Sequence, residues 1–299
     1  MLKVIFHEWK KIIRHPSVIW FFALFTLFIA YTYISVGFQF QDAFASFLQN
    51  GDFQKQELLD FITESDLTEP LTGLLYVVSP SMAITYSLAS VNAIGPIILS
   101  IIGALLFGIE YQYFTIRQLW VSGRTRAEIL LGKIVSIMLF ILLFCCISIL
   151  TGLFMSMITP LLFNLPVDLV SAKEPFPFDM VLLQLACSFL SLLLWSVFSG
   201  FIAVICKSLL AGVIVGFVYP IIESSFLHTW YIGQWFPLFI QKSMLPILFE
   251  KTNYGGIVSF YDMPDIYSVP QSFLFSFMYL LLFVLLTFIG LKKQRVPMP

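Results

Sequence analysis

Apolar residues fall in six long runs along the chain, at about residues 17 to 36, 82 to 108, 134 to 158, 179 to 205, 208 to 224 and 272 to 290. A helix needs about 20 mostly apolar residues to cross the hydrocarbon core of a bilayer. Only elements that satisfy their own backbone hydrogen bonds can do so, so each run is predicted to be a membrane-spanning helix. The first run, from Val18 to Val36, is of spanning length and no small-x-small cleavage site follows it, which favours a retained helix over a signal peptide. The expectation is an all-α integral membrane fold with six transmembrane helices in a single domain, residues 1 to 299.

Shorter patterns lie between the runs. In residues 1 to 16, Leu2, Ile5, Phe6, Trp9, Ile12 and Ile13 recur on one helical face, while Lys3, His7, Lys10 and Arg14 take the other. That is the arrangement of an amphipathic helix lying among anionic headgroups. Pro16 then lets the chain bend into the bilayer; the alternative is that the segment simply continues the first span. In residues 110 to 133, Tyr113, Ile116, Leu119 and Trp120 share a face, Ser122 and Gly123 end the helix, and Thr125 with Glu128 makes a capping box that restarts it. On the residues alone, this suits a surface helix or an ordinary interfacial connector. Residues 38 to 80 hold seven acids and one Lys, with apolar positions spaced for short helices, as a cap over a pathway or a long connector. Residues 227 to 249, inside a segment from 223 to 271, are aromatic but carry His228, Gln234, Gln241, Lys242, Pro237 and Pro246. They read as two short re-entrant helices anchored by Trp230 and Trp235, or as an aromatic surface loop.

Composition sharpens this picture. Hydrophobic residues make up 59% of the chain and charged ones 11%, against roughly 25% charged in soluble proteins. A net charge of -1 gives no footprint for nucleic acid. With six spans and a cytoplasmic N-terminus, twelve of the sixteen cations lie inside: Lys3, Lys10, Lys11, Arg14, Arg117, Arg124, Arg126, Lys133, Lys207, Lys292, Lys293 and Arg295. Of the acids only Glu8, Glu110 and Glu128 do. This asymmetry predicts both termini on the cytoplasmic side.

The chemistry-bearing residues point away from catalysis. Cys145, Cys146, Cys187 and Cys206 lie in or at the ends of spans without CxxC spacing, and His7, His15 and His228 do not converge with them, so no metal or redox site is expected. No P-loop, HExxH or GxSxG occurs. The middle of every span lacks Asp, Glu, Lys, Arg and His, although buried charges usually mark chemistry or ion pathways in membranes. An intramembrane enzyme acting on lipid or peptide is disfavoured on that ground, and a polytopic receptor or structural protein is the other rival.

Residues 110 to 133 resemble the ABC-2 type transporter permeases, the membrane subunits of ATP-driven exporters. The matching residues are Glu110, Thr115, Ile116, Arg117, Leu119, Gly123, Arg126 and Lys133; Phe114 stands where the family commonly has Gly. The resemblance implies that residues 110 to 122 form a cytoplasmic coupling helix on a separate ATPase (nucleotide-binding) subunit, which holds ATP and Mg, with Trp120 packing there too. It implies a second permease chain, identical or related, a plasma membrane location in a bacterial cell, no catalysis and no cofactor on this chain. The cargo pathway would run between the two permeases along the second and fifth spans. There Asn92, Gly95, Pro96, Gly103, Gly212, Gly216 and Pro220 are candidate pathway or dimer-interface residues, as small residues and prolines let helices approach or bend.

Single-cysteine substitutions at Asp60, Lys251 and Gln294 test the topology in intact cells. The first two are expected to react with an impermeant reagent from outside and the third only after the inner face is opened; outside labelling at 294 contradicts six spans.

Overall fold

The computed structural model describes residues 2–49, 54–66, 69–113, 125–171, 178–225, 231–241, 244 and 267–293. Among them the chain is helical throughout, with no strand. The helices are α1 (Leu2–Arg14), α2 (Pro16–Gln49), α3 (Lys55–Glu64), α4 (Pro70–Val77), α5 (Ala83–Gln112), α6 (Arg126–Phe163), α7 (Asp168–Ser171), α8 (Phe178–Ile205), α9 (Leu209–Ser225), α10 (Pro237–Gln241) and α11 (Val269–Lys293), with a 3₁₀ turn at Tyr231–Trp235.

Among the described residues five helices are long and apolar enough to cross a membrane: α2, α5, α6, α8 and α11. The fifth predicted run forms α9, which has 17 residues and falls short of that length. Two helices extend beyond their apolar runs. α2 continues past residue 36 to Gln49 because Gly37 and Phe40 remain buried, and Phe38 packs edge-on to Phe163 with ring centroids 4.9 Å apart. α6 begins at Arg126 and runs to Phe163, where Asn164 closes it in the left-handed conformation at φ 50°. Its start is the expected capping box, with Glu128 N donating to Thr125 Oγ1 at 3.2 Å and Thr125 N donating to Glu128 Oε2 at 3.0 Å.

α5 and α8 form the centre. Of their most apolar stretches 67% and 72% of residues are buried, against 28% for both α2 and α11, so the latter two are peripheral. The central pair packs through small residues. A Cβ placed on Gly103 would lie 2.0 Å from the Ser196 carbonyl oxygen, so the two backbones touch. Serines here satisfy themselves on their own helix, as Ser188 does on Gln184 O (2.7 Å) and Ser196 on Leu192 O (2.9 Å), which lets hydroxyls sit in an apolar seam. α6 packs on both α2 and α5, and α9 and α11 flank α8. Beyond the end of α2, α3, α4 and α7 pack together around Leu58, Ile62, Leu74 and Val170, all buried. This accounts for the apolar spacing within residues 38 to 80.

Residues 231–241 form no helix of spanning length. The 3₁₀ turn leads into α10, whose five residues are all buried and pack against α9 and α11. Trp235 is exposed, and its carbonyl accepts from the Tyr279 hydroxyl at 2.6 Å.

Gly103→Ala should lower the thermal stability of the purified protein by about 1 to 3 kcal/mol or more, because backbone contact leaves nothing flexible to give way. Gly290→Ala should cost less, since the nearest atom is the Val204 Cγ1 methyl at 3.3 Å. Equal melting shifts for the two variants contradict the α5–α8 packing.

Candidate functional site

Four charged side chains meet at the end of the bundle where α1, α5 and α6 converge. On α1, Val4, Glu8 and Ile12 follow at intervals of four and form one buried line. This line docks on α6 at Gly132, where an added Cβ would come within 2.6 Å of Val4 Cγ1. Farther along the contact, the Ser136 hydroxyl reaches Ile5 O at 3.3 Å. α1 therefore buries a different stripe from its most apolar one, and leaves Phe6 and Ile13 exposed.

That docking carries Glu8 to Lys133 in the second turn of α6. Lys133 Nζ lies 2.8 Å from Glu110 Oε1, in the last turn of α5, and 3.4 Å from Glu8 Oε2. It also donates to the Leu106 carbonyl and sits 5.5 Å from the centre of the Phe107 ring. Lys11 Nζ closes the ring, 3.0 Å from Glu8 Oε1 and 3.0 Å from Glu110 Oε1. Two carboxylates and two ammoniums alternate, so the formal charge cancels. Lys133 is 2% exposed and Glu8 0%, so solvent does not screen them as it does a surface pair. Burial pushes the Glu8 carboxyl up, but the ammoniums of Lys133 and Lys11 outweigh it and hold the group below its usual range.

Of the residues singled out in the sequence, Glu110 and Lys133 are thus brought into direct contact. Arg126 stands apart, at the start of α6, where it donates to the Lys292 carbonyl and ties down the end of α11. Thr115, Ile116, Arg117, Leu119, Trp120 and Gly123 lie outside the described residues. The second group gathers within one chain. Asn92 Nδ2 donates to Ser188 Oγ at 3.0 Å, and Gly95 and Gly103 face Leu192 and Ser196 of α8. Gly212 and Gly216 press on Ser199 and Ser100, and Pro96 and Pro220 are buried in α5 and α9. Asn92, Gly95, Gly103, Gly212 and Gly216 therefore lie along the packing of α5, α8 and α9.

Two acids escaped the sequence reading. The charge pattern places Glu8 only among the cytoplasmic acids; the one signal for its burial is its position between the apolar Val4 and Ile12 on one helical line. Glu223, at the far end of α9, is 1% exposed, and its Oε1 accepts from the amides of Leu238 (2.8 Å) and Phe239 (3.1 Å) at the start of α10. The Gln241 side-chain oxygen then accepts from Trp195 Nε1 (2.9 Å) and Ser191 Oγ (3.0 Å). The sequence signal was a carboxylate ending a span, followed by the Pro-led short helix whose free amides need an acceptor.

Breaking a buried pair from one side leaves an uncompensated charge, at a cost of about 3–5 kcal/mol. Lys133→Met is therefore expected to lower thermal stability by that order. Because the folded Glu8 carboxyl is held below its unfolded value, its contribution is complete above about pH 4.3 and is lost as pH falls through the folded value. Proteolysis near the N-terminus should accelerate on acidification in the wild type, and much less so in Glu8→Gln; the same acid response in both contradicts the cluster's role in docking α1.

The family model described as "ABC-2 family transporter protein" matches residues 2–198. No curated protein and no solved structure matches the chain. The matched region includes α1, α5 and α6, and with them all four members of the ion cluster, together with most of α8. On this match, covering well over half of its length, the chain belongs to the ABC-2 family of transporter proteins.

Proposed function

We propose that the chain is the membrane-spanning permease subunit of an ABC exporter, working as a dimer with a second permease chain and driven by a separate ATPase subunit that holds ATP and Mg. Residues 110 to 133 form its cytoplasmic coupling segment. The observation that carries this reading is the buried ion cluster: Glu110 and Lys133, the two ends of that segment, are bonded to each other and to α1. A load applied to residues 114–124 then arrives at a braced base instead of bending two helix ends independently. α5 carries it directly into the central α5–α8 pair.

Six spans per copy fit this reading. α9 has 17 residues and reaches about 25 Å at 1.5 Å per residue; that is near the lower limit of about 17 residues for a crossing. The orientation with both termini in the cytoplasm rests on charge. Lys11, Arg14, Arg126, Lys133, Lys207, Lys292 and Lys293 lie at the end of the bundle that holds the cluster, while Lys55 lies in α3 at the other end. A plasma membrane location in a bacterial cell goes with that orientation.

Leu119→Asp tests the coupling assignment. Loss of a packed apolar anchor removes roughly 1.5 to 3 kcal/mol, whereas a rim ion pair such as one made by Arg117 is worth about 1 kcal/mol or less. The expected variant inserts normally but no longer copurifies with its ATPase subunit, and Arg117→Ala is only mildly impaired. Full retention of the ATPase by Leu119→Asp, at normal membrane levels, contradicts the assignment.

A further inference from the structure

Close to the ion cluster a groove of about 430 Å³ opens between the end of α5 and the α8–α9 turn, lined by Tyr111, Gln112, Lys207, Ser208, Leu209, Leu210 and Val213. Its lining combines polar and cationic Gln112, Lys207 and Ser208 with apolar Leu209, Leu210 and Val213. Lys207 is exposed and has no carboxylate partner among the described residues. It also occupies an unusual backbone position. Ser208 N bonds to Ala203 O at 3.1 Å and Lys207 N to Val204 O at 3.4 Å, the paired bonds of a helix end whose left-handed residue is ordinarily Gly. Here that residue is Lys207, at φ 51°. Such strain points to a use for the side chain.

The next helix adds to the positive field. Ser208 caps α9 by accepting from Ala211 N at 3.3 Å, so the opening amides of α9 and the positive end of its dipole lie at the same place. From there an apolar stripe leads away along α9. Leu210, Ile214, Phe217, Val218 and Ile221 are all exposed and share one helical face. A ligand that fits has an anionic head near Lys207 and a long apolar tail lying on the stripe.

We propose that this groove binds the headgroup of an anionic phospholipid of the cytoplasmic leaflet, with an acyl chain laid along the exposed face of α9. The name of the leaflet rests on the orientation proposed above; the binding does not. A neutral zwitterionic lipid offers the same tail but no net charge for the lysine and the helix end, so head-group charge is the discriminating property.

The experiment uses the purified full chain in mild detergent, titrated with phosphatidylglycerol or with phosphatidylcholine of the same acyl chains, and reads retained lipid by native mass spectrometry. Wild type should hold phosphatidylglycerol in preference to phosphatidylcholine. Lys207→Gln should weaken that preference about fivefold, the effect of one cation at an anionic surface; Lys207→Arg should keep it, as should Lys292→Gln. Val213→Trp, which puts a large side chain into the apolar part of the lining, should lose the lipid while retaining the helical circular dichroism and melting transition of the wild type. Equal retention of the two lipids by wild type, or unchanged retention in both Lys207→Gln and Val213→Trp, overturns the proposal. So does a Val213→Trp variant that keeps its lipid but loses self-association, since a second copy of the chain would then be the occupant. ATPase copurification is read on the same samples: its loss from wild type counts against the permease reading alone, because the lipid titration needs no partner.

Discussion

A lysine ammonium buried to 2% exposure must be surrounded by acceptors or the helix that carries it will not stay folded in place. Lys133 meets this condition with three: Glu110 from the preceding span, the Leu106 carbonyl one turn before it, and Glu8 from the N-terminal helix. The last is the consequential one. It requires α1 to lie against α6, which in turn requires the bare backbone of Gly132 opposite Val4. Lys11, bonded to both carboxylates, completes the charge balance from the half-exposed edge. The N-terminal helix is thus part of the bundle's packing, while Phe6 and Ile13 remain exposed.

What is held at that end is transmitted inward by a second constraint, the closeness of α5 to its neighbours. Gly103 meets the backbone of Ser196 and Gly108 that of Leu209, while Gly95 takes the Leu192 side chain directly against the α5 backbone. Close packing of this sort resists compression and passes displacement on. At the opposite end Glu223 fastens α10 to α9, and Gln241 at the end of α10 reaches Trp195 and Ser191 in the middle of α8. Of the central helices, α5 is thus tied by the ion cluster at one end and α8 is tied to α10 near its middle.

The hydrophobic pattern made the helices legible because a bilayer sets both their length and their composition. The capping box at Thr125 and Glu128 was legible because it is local, needing only four residues. Hydropathy does not reach the C-terminal end of α2: it marks where a chain can lie in lipid, whereas burial of Gly37 and Phe40 and the contact of Phe38 with Phe163 keep α2 helical beyond it. The ion cluster was half legible. Glu110 and Lys133 stood out by their spacing in the family-like segment, but their pairing with Glu8 joins residues 125 apart in sequence, and no periodicity reports such a contact. Gly95, Gly103, Gly212 and Gly216 stood out as small residues in spans; which helix each one faces depends on the three-dimensional packing of α5, α8 and α9.

The central claim is that the Glu110–Lys133 bond braces the coupling segment, and a double-mutant cycle with neutral replacements measures it most directly. Glu110→Gln, Lys133→Met and the double variant would be compared for retention of the ATPase subunit at matched membrane levels. The account predicts that each single variant loses much of the subunit and that the double variant is no worse than the poorer of the two, since both substitutions remove the same bond and Glu8 and Lys11 stay paired to each other. Full retention by both single variants, or losses that simply add in the double variant, would contradict it.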